Sequence, residues 1–285
     1  MNYKKFITKE LDVISVYHLL ISGIVPRPIA LVGSIDKNGI SNLAPFSFFN
    51  AFGVNPPILG FSPTLSGRTG LPKDTLLNIK DTKEFTVSIV NSDIVEQISL
   101  SSCEFDRKVD EFKKTGLTKY KSKNIKSYGV NESNFIMECK LYDIIELGGN
   151  PASGNLILGE VLLFHVNRDI LNIKNQIDPY KLDPIARHGG SWYTKANKGL
   201  FELRKPKNIG IGFDQLPNYI LQSKLTGNEL GKLASVESIP TFNQNKSKFN
   251  SKEKIIKSIQ SNLKNNDINI AWQLVLLLGK LLNEE

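Results

Sequence analysis

The sequence predicts a mainly β fold, either a closed barrel or a sandwich, followed by a helical segment. Most of the β-prone stretches lie between residues 28 and 193, where helical patterns are few and short. The clearest turn between two of them is Asp36-Lys37-Asn38-Gly39, because Asn-Gly readily adopts positive φ. Beyond residue 205 apolar residues recur at helical spacing. Periodicity alone does not separate a barrel from a sandwich.

The first part of the chain begins with a short amphipathic helix over residues 12–21, for which Asp12 is the expected N-cap. The strand-like stretches that follow cover residues 28–35, 40–49, 56–62, 84–90, 135–147 and 155–166. Two helices interrupt them, one over 74–82 capped by Asp74 and one over 91–102 capped by Asn91 or Ser92. Residues 103–133 are polar and rich in lysine, so we expect a long surface excursion there.

The last part of the chain, residues 206–285, is expected to form a helical extension that is separate from a first domain over residues 1–205. Its run 274–278 consists of five consecutive apolar residues. We therefore expect the helix that carries this run to be buried, either on the barrel or on a partner subunit.

The composition is typical of a cytoplasmic protein with reduced thiols. The chain has 285 residues and a formal net charge of +8, and 30 of its 36 basic residues are lysine. Scattered lysines indicate a solvated surface rather than a nucleic-acid site, because base recognition and bidentate contacts to phosphate favour arginine. No apolar run reaches the length of a membrane span. Cys103 and Cys139 lack metal-site spacing, so neither a metal site nor a membrane or nucleic-acid partner is expected.

The stretch 42–52, NLAPFSFFNAF, is unusual for a strand. Pro45 has no N–H to donate, so we expect strand pairing to break or bulge there. Ser47 and Asn50 place polar groups beside three phenylalanines, at positions 46, 48 and 49. A planar heteroaromatic ligand needs this mixture of flat apolar surface and edge-directed polar groups. A barrel corner whose aromatic rings belong to the core is the alternative.

The stretch 66–78, SGRTGLPKDTLLN, combines a glycine-containing loop with the start of a helix. Arg68 and Lys73 supply positive charge, and Asp74 and Thr75 open the helix. A helix N-terminus beside a lysine is a natural site for a phosphate group. An ordinary capped helix after a surface loop is equally compatible with the pattern. The spacing of a P-loop is absent, and so is a GxGxxG motif after a strand.

Several segments follow one another in the order and spacing of a known family. They are IVPRPIALVGSIDKNGISNLAPFSFFNAFGVNPPILGFS (24–62), KDTLLNIKDTKEFTVSIV (73–90), FIMECKLYDIIELGG (135–149), LILGEVLLFHV (156–166) and DPIARHGGSWY (183–193). Over residues 10–205 the chain thus resembles the flavin reductase-like, FMN-binding split-barrel family. The resemblance implies a six-stranded antiparallel split barrel with peripheral helices. It also implies a homodimer, with FMN in a groove at or near the dimer interface.

The resemblance further implies which positions would bind the cofactor. The residues that would contact the isoalloxazine ring or the ribityl chain are Asn42, Ala44, Pro45, Ser47, Phe49 and Asn50. The residues that would meet the phosphate end are Ser62, Lys73, Asp74 and Thr75, with Arg27 and Arg68 as secondary anion contacts.

The implied activity is the reduction of flavin by NADH or NADPH, in which FMN itself performs the hydride chemistry. His188, in the segment ARHGGSWY, is the candidate catalytic residue, because it could bind a nucleotide phosphate or relay a proton. A purely structural histidine is the alternative. A monooxygenase or another electron acceptor is a possible partner.

Two other functions stay open at this point. One is an FMN-binding, flavoredoxin-like electron carrier that a protein donor reduces, since no specific nicotinamide pocket is visible in the sequence. The other is a basic barrel that binds nucleic acid, for which the only motive is the charge of +8.

Overall fold

The structure, a computed structural model, describes residues 1–203, 209–243 and 251–283. The chain divides into two units, Met1–Leu200 and Phe201–Glu285. The boundary predicted at residue 205 lies outside the described residues, and the division into domains 1–205 and 206–285 stays a prediction.

The first unit contains all the strands that the structure describes. They are β1 (Arg27–Pro28), β2 (Ala30–Ile35), β3 (Ser41–Phe46), β4 (Phe49–Val54), β5 (Pro57–Phe61), β6 (Glu84–Ile89), β7 (Lys119–Tyr120), β8 (Gly129–Val130), β9 (Phe135–Glu146), β10 (Asn155–Val166), β11 (Ile185–Arg187) and β12 (Tyr193–Lys195). Its helices are α1 (Val13–Gly23), α2 (Asp74–Thr82), α3 (Val95–Leu100), α4 (Glu111–Thr115) and α5 (Pro179–Leu182).

The main sheet has seven antiparallel strands in the order β3-β2-β6-β9-β10-β5-β4. Its two edge strands, β3 and β4, are consecutive in the chain, so the sheet must curl until its edges meet. Side chains meet beside these edges, where the rings of Phe46 and Phe61 lie 5.2 Å apart. The Ser62 amide donates to the Phe48 carbonyl at 2.9 Å and so continues the pairing of β4 with β5. The mainly β prediction is confirmed, but the strand count differs from six, because the chain turns at residues 47–48 and β4 forms a separate strand.

Pro45 does not interrupt β3, contrary to the sequence prediction. The β2–β3 register runs without a shift through the pair Leu31 and Pro45. The reason is that β3 is an edge strand, and the Leu43 amide points outward to Glu111 at 3.1 Å. By the alternation of the backbone, Pro45 faces the same free edge, where its missing N–H costs no ladder hydrogen bond.

The core of the first unit lies on both faces of this sheet. One cluster gathers buried side chains of β2, β5, β6, β9, β10 and α2, among them Phe61, Phe85 and Ile79. A second cluster joins β2 and β3 to α3 and α4 through residues such as Leu43 and Phe112. The start of α2 is thereby anchored beside β3, which positions the candidate site.

Three predicted helix starts can be compared with the structure. Asp12 caps α1 and accepts a hydrogen bond from the Ser15 amide at 2.6 Å, as predicted. The cap of α2 is Lys73 rather than Asp74, which is the first helical residue. The third helix begins only at Val95, because Asn91 forms a β-bridge with Pro184 and is held in an extended conformation.

The second unit is built from α6 (Asn218–Leu221), α7 (Gly227–Ala234), α8 (Lys252–Lys264) and α9 (Ile268–Asn283). These helices share one apolar core, in which Trp272 is fully buried and its Nε1 donates to the Leu233 carbonyl at 3.0 Å. The apolar run 274–278 of α9 packs into this core. Its burial is thus provided by helices of its own unit, which corrects the expected burial on the barrel or on a partner. Among the described helices, none has the length and hydropathy needed to cross a bilayer.

Candidate functional site

The start of α2 carries the densest group of charges in the candidate site. Arg68 and Lys73 both contact Glu104, at N–O distances of 2.7 Å and 2.9 Å. The hydrogen bond and charge of Lys73, followed by those of Arg68, lower the pKa of Glu104 below its usual value. Arg68 and Lys73, which were both predicted to bind an anion, therefore contact the same carboxylate, that of Glu104.

The N-terminal backbone of α2 adds donors to this group. Lys73 occupies the N-cap and makes no side-chain capping hydrogen bond. The first amides of a helix have no partner within the helix, and the helix dipole places partial positive charge beside them. The Asp74 carboxylate lies 3.8 Å from Arg107, which offsets its charge at this end of the helix.

Thr75 lies beneath this surface rather than on it, because its side chain is buried. Its hydroxyl accepts a hydrogen bond from the Asn42 side chain at 2.9 Å, and the same Asn42 amide group lies 3.1 Å from Ser34 Oγ. Asn78, one turn further along α2, donates to Ser34 at 3.2 Å. This buried polar cluster ties β3 to α2, so it holds the two predicted halves of the site together.

The corner between β3 and β4 presents the predicted ring-binding residues. Ala44 pairs with Val32 in the sheet, and Ala44, Pro45, Ser47 and Phe49 are all partly exposed. Asn50 is exposed, and its Oδ1 accepts from the amide of Ala51 at 2.8 Å. Two of the phenylalanines belong both to the core and to the surface. Phe46 and Phe49 pack against the core and also keep part of their surface open.

Ser62 directly follows β5 and is half-buried. Its amide hydrogen bond to Phe48 places it beside the β3–β4 corner. The predicted phosphate contact of its hydroxyl stays a prediction.

Arg27 is held by the protein itself. Its guanidinium is buried and donates to the carbonyls of Ile21, Ile24 and His188, with distances of 2.8 Å to Ile24 and 3.1 Å to His188. These bonds fasten the end of α1 to the β11–β12 hairpin. A contact between Arg27 and a bound anion stays a prediction, and the present partners give the side chain a structural role.

His188 directly follows β11, at the base of the loop that joins β11 to β12, and is half-buried. Its amide donates to the Trp192 carbonyl at 2.9 Å, and Arg187 stacks on Tyr193 with 4.5 Å between the guanidinium carbon and the ring centroid. The loop is therefore fixed at its base by backbone bonds and by Arg27, whereas the Trp192 ring is largely exposed.

Sequence reasoning missed three charged residues that shape this region. Glu104 and Arg107 lie in the segment that was expected to be a surface excursion, and no local pattern distinguishes them from solvated charges. Glu111 is buried beside the free edge of β3, and this burial raises its pKa although it accepts from the Leu43 amide. Only the folded chain brings these residues next to residues 42–75.

The donor set suits an anionic, partly aromatic ligand such as FMN. Two cations and uncapped helical amides fit a phosphate, and an open β edge beside partly exposed phenylalanines fits a flat ring system. Comparisons with known proteins identify the family. A family model described as the flavin reductase like domain matches residues 22–178, more than half of the chain.

This chain belongs to the flavin reductase-like family. An uncharacterized protein of Aquifex aeolicus is 40% identical over 192 residues, which are 67% of this chain and 95% of that protein. Among solved structures, component B of nitrilotriacetate monooxygenase from Bacillus cereus matches with a TM-score of 0.67 and 34% identity, over 71% of this chain and 100% of that chain. A protein with a split barrel domain from Shewanella frigidimarina matches with a TM-score of 0.62 and 26% identity, over 72% and 99% of the two chains. The fold is thus a split barrel, and membership of the flavin reductase-like family supports a flavin-related oxidoreductase function.

Proposed function

We propose that this protein binds FMN and catalyses its reduction by NADH or NADPH. The observation that carries the proposal is the convergence of Arg68 and Lys73 beside the start of α2. Two cations that point at one place suit a group with two negative charges, and the phosphate of FMN is such a group. Family membership supports the flavin part of the proposal.

The phosphate end would be held by Arg68, Lys73 and the first amides of α2. The buried bond between Asn42 and Thr75 fixes this helix end relative to β3. Thr75 would then act by positioning the helix, since its hydroxyl is already engaged inside the protein. Arg107 balances Asp74 and so reduces the repulsion that a phosphate would meet there.

The ring end would lie along the free edge of β3 and the corner to β4. When bound, FMN would supply a hydride-accepting atom, N5, so the protein needs no strong acid or nucleophile. Residues of the corner would orient the ring and shield one of its faces from water. The partly exposed Phe46 and Phe49 provide the flat apolar contact, and the outward carbonyl of Pro45 can accept from a ring N–H.

The nicotinamide nucleotide would be oriented by the β11–β12 hairpin. His188 would bind its phosphate or relay a proton, and the exposed Trp192 offers an aromatic face. Because Arg27 and the backbone fix the base of this loop, the imidazole would be presented in a defined position.

The same proposal includes a homodimer that covers the exposed apolar faces of α1 and β4. In α1 only Ile21 is buried, whereas Ile14 and Tyr17 are 68% and 48% exposed. On β4, Phe52 is 62% exposed. Apolar patches of this kind are typical of protein interfaces, and a second copy would shield the nearby β3–β4 corner. Reduced flavin would then pass to an electron acceptor. The Bacillus cereus relative, a monooxygenase component, supports a monooxygenase as that partner.

The deciding experiment is an anaerobic visible spectrum of the purified protein, with FMN added first and then each nicotinamide nucleotide. A bound-flavin spectrum that bleaches rapidly supports the reductase and reports which nucleotide is preferred. Bound flavin that stays oxidised until a protein donor is added would favour the electron carrier. If FMN does not bind at micromolar concentration, the proposal is wrong.

A further inference from the structure

The segment between α3 and α4, residues 101–110, brings a carboxylate onto the two cations that are proposed to hold phosphate. Glu104 accepts from Arg68 through Oε2 at 2.7 Å and from Lys73 through Oε1 at 2.9 Å. Each carboxylate oxygen is therefore used by a different cation. Two oxygens of a phosphate group could accept from these two side chains in the same way.

The positive and negative charges around Glu104 nearly cancel. Three cations, Arg68, Lys73 and Arg107, face the two carboxylates of Glu104 and Asp74, so the net charge of the cluster is only +1. A phosphate monoester carries close to two negative charges at neutral pH. It would meet like charge from Glu104 at the position where its own charge is best stabilised.

Glu104 is free to move aside. Its side chain is 54% exposed, and that of Arg68 is 83% exposed, so little packing holds the ion pairs in place. Exposed ion pairs contribute little to stability. Displacement of the carboxylate is therefore a modest cost, while the contact between Arg107 and Asp74 can keep the segment close to α2.

We propose that Glu104 occupies the place of the flavin phosphate and competes with it for Arg68 and Lys73. This inference rests on the proposed function and deepens it, because it makes Glu104 the residue that sets how strongly the phosphate is recognised. The negative charge of Glu104 reduces the preference of the protein for FMN over riboflavin, which has the same ring system without a phosphate.

The experiment measures dissociation constants of FMN and riboflavin by quenching of flavin fluorescence, with the full chain and its Glu104→Gln variant. We expect the variant to bind FMN about three- to tenfold more tightly, since two exposed ion pairs no longer compete. The affinity for riboflavin should not change. The matched control is Glu96→Gln, which removes one exposed carboxylate from neighbouring α3 and should change neither constant.

A second measurement tests the mechanism of this gain. If Glu104 acts through the two cations, Glu104→Gln should have no effect on FMN binding in a protein that already carries Arg68→Ala and Lys73→Ala. A gain that persists in that background would contradict competition, because it would arise from net charge alone.

The outcomes separate this inference from the function on which it rests. If both flavins bind and Glu104→Gln leaves FMN affinity unchanged or weakens it, Glu104 does not compete and the inference is wrong, while the proposed function stands. If neither flavin binds to any of the proteins, both are wrong.

Discussion

Asn42 and Thr75 are joined by a buried hydrogen bond of 2.9 Å between Nδ2 and Oγ1. The bond connects the edge strand β3 to the first turn of α2, and the two residues lie 33 positions apart in the chain. The residues proposed for the flavin ring follow Asn42, and those proposed for the phosphate flank Thr75. The distance between the two halves of the site therefore depends on this contact.

Replacing Thr75→Val should destabilise the protein, because it leaves a buried amide N–H of Asn42 without its acceptor. We expect the free energy of unfolding to fall by about 1–3 kcal/mol, measured by urea denaturation. Thr118→Val changes an exposed threonine and should cost less than about 0.5 kcal/mol. Equal losses in the two variants would mean that the buried bond does not matter.

Replacing Lys73→Ala should weaken FMN binding by roughly tenfold, the effect of losing one charged hydrogen bond of about 1.5 kcal/mol. Riboflavin binding should be unaffected, since that ligand has no phosphate. Lys80→Ala is the matched control, because Lys80 lies on the same helix and forms an exposed ion pair with Glu146 at 2.8 Å. A loss of riboflavin affinity in Lys73→Ala would show that Lys73 acts on the ring or on folding instead.

His188→Ala should lower kcat/KM for the nicotinamide nucleotide by at least about tenfold and leave the affinity for FMN unchanged. The conservative variant His188→Gln distinguishes the two proposed roles. If the side chain only donates a hydrogen bond, glutamine should restore most of the rate, and if it relays a proton, glutamine should be as slow as alanine. Normal kinetics in both variants would assign His188 to structure.

Ile14→Glu should convert the proposed dimer to monomer, because it places a charge in the exposed apolar face of α1. Light scattering coupled to size-exclusion chromatography would report the mass. Ile173→Glu is the control, since Ile173 is fully exposed at 101% and lies outside both α1 and β4. A wild-type protein that is already monomeric at micromolar concentration contradicts the dimer.

Glu138→Gln should destabilise the protein in a pH-dependent manner. Glu138 is fully buried and accepts from the amides of Lys123 and Asn124 at 2.6 Å and 2.8 Å and from His165 at 2.7 Å. Burial alone would raise the pKa of Glu138, but these hydrogen bonds outweigh it and the pKa is lowered from 4.5. Glutamine would turn an N–H towards one of the donors, so we expect a loss of about 3 kcal/mol at neutral pH.

The sign of the pH effect follows from the lowered pKa. A carboxyl group with a folded-state pKa below its unfolded value stabilises the fold above the unfolded pKa, and this contribution is lost as the pH falls through the folded value. The difference between wild type and Glu138→Gln should therefore shrink below about pH 4 in urea denaturation. Glu146→Gln, in an exposed ion pair, should have little effect on stability at any pH.

Local sequence patterns predicted most of the strands and the principal helices because their causes are local. The Asp36-Lys37-Asn38-Gly39 turn forms as expected, with Gly39 at a φ of +83°, and Asp12 caps its helix. The expectation for Pro45 was wrong because the effect of a proline depends on whether its strand is central or at an edge, and sequence alone does not give that position.

The candidate site could be predicted only in part. The cationic pair and the aromatic corner were recognisable as sequence segments. Thr75 was expected to contact a phosphate, but its side chain is buried and hydrogen-bonded to Asn42. Glu104 could not be predicted because its role depends on a contact across 31 residues to Lys73. Hydrophobic periodicity carries no information about which charges meet in a folded chain.

The two tryptophans of the chain lie in different environments, and their fluorescence differs accordingly. The chain has two tryptophans, and each unit contains one of them. Trp192 is 78% exposed, and Trp272 is fully enclosed. Emission at short wavelength therefore comes from Trp272, and its shift to longer wavelength reports the melting of the helical unit, whereas Trp192 is exposed to solvent already in the folded barrel unit.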